Sequence, residues 1–104
     1  MEAFEAGTLV IVHCQEPREK LWGMLVRLDR VGAVLRGLNL NAVEDWLRQE
    51  KHGGDRLINA STQFIPLHRV ERLYVDETTA VSKSFADRYG ETHGGDVRDA
   101  LQAQ

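Results

Sequence analysis

The chain has a single cysteine, Cys14, so it can form no internal disulfide, as expected of a protein kept in a reducing compartment. It has no excess of positive charge: 13 Lys and Arg stand against 16 Asp and Glu, a net charge of −3. The total therefore carries no basic footprint for nucleic acid, although local patches rather than totals set phosphate binding. No apolar run approaches the roughly 20 residues that a membrane-spanning helix needs. The opening Met1-Glu-Ala-Phe-Glu-Ala6 lacks the basic and apolar regions of a signal peptide. Cytoplasmic residence is the expectation. Metal spacing is missing too. His52, His68 and His93 lie far apart, and the neighbours His13 and Cys14 would face opposite sides of a strand. Gly53-Gly54 and Gly94-Gly95 have neither the strand-to-helix context nor the Lys of a phosphate loop. Ser61 and Ser84 sit in no nucleophile motif, and a nucleophilic Cys14 would need a base beside it. No metal, cofactor or catalytic residue is expected.

What the chain does have is a hairpin. Leu21-Trp-Gly-Met-Leu-Val-Arg-Leu-Asp29 reads as a strand, Arg30-Val31-Gly32 as its turn, and Ala33 to Leu40 as the return strand. Met24, Val26 and Leu28 alternate with Leu25, Arg27 and Asp29, which predicts one apolar face and one mixed face. Gly23 inside that strand marks a sharp bend or a close backbone approach, such as small barrels need to close. Before the hairpin, residues 8–14 form an apolar strand too continuous to reveal its core face, and Pro17 breaks the polar loop after it. Residues 61–66 and 67–75 read as two further strands meeting at Pro66, with Val70 and either Leu73 or Tyr74 inward. The fold class is mainly β: a small, strongly bent five-stranded barrel.

Helices are added to it at two places. Asn41 followed by Glu44 reads as a capping box opening a helix at about 41–52, with Val43, Trp46 and Leu47 on one face and Gly53 as its C-terminal cap. This helix should lie across one mouth of the barrel. Trp46 would be a core anchor or, less readily, part of a subunit contact. Residues 1–77 form the barrel, and 78–104 form a helical tail packing on it. Ser82 or Ser84 caps a helix through Tyr89, broken by Gly90, and a last helix spans 96–101. The tail's Phe85, Tyr89, Val97 and Leu101 are too few to fold alone, so they should dock.

The pattern resembles the Sm-like (LSm and Hfq) subclass of SH3-like barrels over about residues 7–75, apart from the helical insert. Gly23, Leu25 and Asp29, then Val34, occupy the places of that family's first motif, and Ile65, Val70 and Leu73 those of its second. The stretch 64–73 also resembles bacterial barrel proteins of unassigned role. The resemblance implies an oligomer that binds single-stranded RNA through an Asn in the first hairpin turn and an Arg-Gly pair in the later one. Here those positions hold Ala33 and Pro66-Leu67, and only six residues precede Gly7 where the family has a helix.

Two readings of function follow. The leading one is a non-enzymatic, homo-oligomeric protein-interaction module, because open barrel edges invite strand pairing. The alternative is a single-stranded RNA binder. Arg18, Lys20, Arg27, Arg30, Arg36, Arg69 and Arg72, with Trp22 nearby, would then form a groove where phosphates are neutralised and bases stack. The family's geometry would place that site at Arg30, His68 and Arg69. Interleaved Glu16, Glu19, Asp29 and Glu71 favour an ordinary solvated face instead. An enzyme or ligand site built on His68 and Arg69 is the outside reading. It requires polar groups converging in a cleft.

Overall fold

The computed structural model describes residues 4–52 and 58–103. Five strands, β1 (Leu9–Cys14), β2 (Glu19–Leu28), β3 (Gly32–Asn39), β4 (Ser61–Pro66) and β5 (Val70–Val75), form one antiparallel sheet in the order β4-β3-β2-β1-β5. Three helices accompany it: α1 (Val43–His52), α2 (Phe85–His93) and α3 (Val97–Gln102). None is long and apolar enough to cross a membrane.

Both faces of the sheet are buried, which is why β1 reads as an unbroken apolar run. On one face Leu9, Ile11, Trp22, Met24 and Leu38 pack against Val43, Trp46 and Leu47 of α1 and Val97, Ala100 and Leu101 of α3. On the other, Val10, Val12, Cys14, Leu21, Leu25, Ala33, Leu35 and Ile65 form a second cluster that Val70 and Leu73 join. Among the described residues that cluster draws on all five strands and on no helix. Leu73 thus belongs to the helix-free cluster and Tyr74 to the helix-covered one.

The alternation read in β2 does not hold. The β2–β3 register shifts between Leu25 and Arg27, so Val26 is an extra residue in the strand. Met24 and Leu25 are consequently both buried, while Val26 and Leu28 are exposed. Gly23 pairs with Gly37 at the close approach that its presence implied.

Helix starts also differ from the sequence reading. Asn39, not Asn41, supplies the cap: its side chain accepts from Asn41 N at 2.8 Å and opens a 3-10 turn, Leu40–Ala42, that leads into α1. The 3-10 turn Leu67–Arg69 joins β4 to β5 where continuous strand was expected. Gly53, read as a C-terminal cap, lies outside the described residues. Ser84 caps α2 through Asp87 N, and the helix runs past Gly90 to His93. Asp96 caps α3.

The tail docks on the helix-covered face, and Asp76 is the hub. Its carboxylate accepts from Trp22 Nε1 at 3.1 Å and from the Phe85 and Ala86 N–H groups at 3.2 Å each, so it caps the first turn of α2 from nine residues away. Trp22 and Trp46 lie with ring centroids 5.7 Å apart, flanked by Phe85 and Tyr89. Trp46 is a fully buried core anchor, but its Nε1 has no acceptor among the described residues. Trp46→Phe should therefore change stability by less than about 1 kcal/mol, because the lost ring area is offset by removing an unsatisfied donor. Trp22→Phe, which breaks a charge-assisted bond, should cost about 2 kcal/mol. Urea unfolding of both variants measures the contrast.

Candidate interaction surfaces

The β2–β3 turn is shaped by Asp29. Its carboxylate accepts from the N–H groups of Val31 at 2.9 Å and Gly32 at 3.2 Å, and Arg27 Nε lies 3.3 Å away. Those backbone bonds hold the Asp29 carboxyl below the usual carboxylate range. The 3-10 turn after β4 abuts this turn, with Leu67 N donating to Val31 O at 2.9 Å. Arg30 and His68 are thereby brought to one end of the sheet, both exposed.

Arg69 does not join them. Its guanidinium donates to Gln15 O at 3.2 Å, Pro17 O at 3.1 Å and Glu19 Oε1 at 3.1 Å, clamping the β1–β2 loop. Other members of the expected basic groove are also engaged elsewhere. Arg36 Nε donates to Leu101 O at 2.9 Å, tying α3 to β3, and Trp22 is fully buried and unable to stack on a base. Of the three expected site residues only Arg30 and His68 share that end, and the expected groove has no aromatic platform at Trp22.

The histidines are dispersed. His13 Nε2 lies 3.2 Å from the Tyr74 hydroxyl, with burial and then Lys20 and Arg72 pushing its pKa down. His93 Nε2 donates to Leu47 O at 2.9 Å and its ring stacks on Tyr89 at 4.6 Å. A cleft of about 240 Å³ between α1 and α2 includes His93, Thr92 and Tyr89. Its charges cancel in pairs: Arg88 forks onto Glu44 at 2.6 Å through both nitrogens, and Arg48 pairs with Asp45. The Arg88 fork lowers the Glu44 pKa. Among the described residues no group of three His, Cys, Asp or Glu side chains could hold a metal ion.

Cys14 is buried in the helix-free cluster, and burial raises its thiol pKa. In the native chain it should react with a thiol reagent about 100-fold more slowly than in urea-unfolded chain, a contrast that time-resolved labelling reads directly. A native rate close to the unfolded one would mean that the thiol is accessible.

The sequence reading missed the exposed apolar residues. Phe64 (50% exposed), Leu67 (45%), Val31 (68%), Val26 (42%) and Leu28 (38%) lie around the β2–β3 turn and the neighbouring β4. Phe64 stands opposite Val34 and beside Gly32, on the face opposite to buried Ile65. Strand parity relative to Ile65 was the available signal. Among the described residues β4 pairs only with β3, and β5 only with β1, so each is an edge of the sheet. The chain matches no protein-family model, no curated protein and no solved structure.

Proposed function

We propose that this chain is a non-enzymatic, Sm-like small barrel that acts as an oligomeric protein-interaction module. The observation that carries the reading is the edge strand β4, Ser-Thr-Gln-Phe-Ile-Pro, which has no charged residue and holds Phe64 half exposed. Edge strands of stable monomers are usually guarded by charges, bulges or covering segments, and an unguarded one is a pairing surface. The barrel itself is supported by the helix-free cluster. Val10 and Val12 are fully buried on a face that no helix covers, and Ile65 of one edge shares that cluster with Val70 and Leu73 of the other. A sheet curling over its own face buries them. The strand order, with chain-adjacent β4 and β5 at opposite edges, suits such curling.

A single-stranded RNA role is the second reading, and Arg30 and His68 at one exposed end favour it. Buried Trp22 and the engagement of Arg36 and Arg69 weigh against it. Fluorescence polarisation of labelled U-rich and A-rich RNA at about 50 and 200 mM salt separates the two, because phosphate-dominated binding collapses between these conditions. The module reading expects no base preference and no binding at the higher salt. Base-selective binding that survives there would replace it with the RNA reading.

A further inference from the structure

We infer that two copies of this chain join through β4 alone, strand against antiparallel strand about a two-fold axis, making one continuous sheet across the pair. The inference rests on the reading that the module assembles, and it specifies which edge does so and with what symmetry.

The two edges are unequal. β5 carries exposed Glu71 and Arg72, and its register on β1 shifts between His13 and Cys14. The segment after it also runs alongside, with Glu77, Thr79, Ser82 and Lys83 lining one concavity with Tyr74 and Val75. Charge, irregularity and a covering segment are the devices that keep an edge from pairing. Among the described residues β4 carries no charge of its own and no register shift, and Arg36 of β3 reaches it only at Thr62 Oγ1, 3.5 Å away. It pairs with β3 in unbroken register from Gly32–Pro66 to Gly37–Ser61, it is uncharged, and alternate backbone N–H and C=O groups along it point away from β3.

One adhesive edge dictates the symmetry. A head-to-tail ring needs two different complementary surfaces, whereas a closed pair needs one surface that fits itself. Antiparallel self-pairing sets each strand against its own sequence reversed, where like charges would meet across the axis. β4 presents only Ser, Thr, Gln, Phe, Ile and Pro there. The arrangement also keeps cations apart. Arg30 and His68 lie at the Pro66 end, which faces the other copy's Ser61 end across a strand about 20 Å long. Thr62 and Phe64, on the face shared with Arg36 and Val34, come under the matching residues of the second copy, so Phe64 is covered.

Multi-angle light scattering of the full chain between about 1 and 200 µM, the range in which a six-residue strand pairing would associate, tests this. The expected mass is twice the 11.8 kDa of the chain. Thr62→Lys and Phe64→Lys should each weaken association about tenfold or more by placing a charge on the edge, and Glu71→Lys on β5 should leave it unchanged. Far-UV circular dichroism checks folding; should Phe64→Lys fail to fold, the exposed Thr62 position decides. A ring of three or more chains, or loss of association in Glu71→Lys but not in Thr62→Lys, would overturn β4 self-pairing while leaving the assembly reading standing. A monomer throughout would overturn both.

Discussion

Removing everything after Glu77 is expected to abolish cooperative unfolding, leaving a chain whose tryptophan emission is already red-shifted without denaturant. The tail supplies Val97, Ala100 and Leu101 to the core, all buried, and Phe85 and Tyr89 against the two tryptophans. Burial of a Val or Leu side chain contributes about 1.5–3 kcal/mol, so these residues together approach the ~5–15 kcal/mol net stability of an ordinary domain. Polar ties go with them. Arg36 loses Leu101 O, Gly7 O loses the Arg98 guanidinium at 2.5 Å, and Glu44 loses Arg88. Asp76 survives the cut and its N–H still donates to Leu9 O, but among the described residues its carboxylate keeps only Trp22. A truncated chain that melts sharply near the full-length temperature would mean that the five-stranded sheet stands without its helical cover.

Gly23→Ala should be the most damaging single substitution in the sheet. A Cβ on Gly23 would lie 2.5 Å from Gly37 Cα and 2.9 Å from the Arg36 carbonyl carbon, and closer still to Arg36 O. The relation is reciprocal: a Cβ on Gly37 would lie 2.8 Å from Gly23 Cα and 2.9 Å from the Trp22 carbonyl carbon. These are backbone atoms of paired strands, which cannot rotate aside as a side chain can. Relief requires β2 and β3 to separate between the pairs Trp22–Leu38 and Met24–Arg36, where both apolar clusters are anchored. A loss of about 3 kcal/mol or more is expected, roughly 10–20 °C in Tm for a domain of this size. Alanine at Gly94, where a Cβ would meet nothing, should cost less despite its positive φ of 75°. Thermal unfolding of the two variants makes the comparison, and equal losses would contradict the close-approach account.

Particular residues show how much of this was legible in the sequence. Gly23 announced a sharp bend or a close approach, and the structure shows the second, against Gly37. Ser84 and the docking set Phe85, Tyr89, Val97 and Leu101 were readable because capping and helical periodicity are local. Val26 was not, since one inserted residue inverts the parity of all that follows and leaves no compositional mark. Gly90 looked like a breaker, yet α2 tolerates it, its helix already capped by Ser84 and fixed by Asp76. The role of Asp76 is long-range and had no signal. Arg30 and His68 share one end of the sheet because the hairpin turn and the later turn abut, whereas Arg69 is drawn away by carbonyls of a loop more than fifty residues distant in sequence. The edge itself could not be read. Which strand is outermost depends on strand order, which no local pattern carries, whereas the exposure of Phe64 follows from its parity relative to buried Ile65.

The central claim is that β4 is the surface through which this protein meets another chain. Amide hydrogen exchange read by mass spectrometry, on the full chain above and below its association range, addresses that claim without any substitution. The expected result is protection in residues 61–66 that rises with concentration, while residues 70–75 exchange at the same rate throughout. Concentration-dependent protection confined to residues 70–75, or none in either strand, would contradict it.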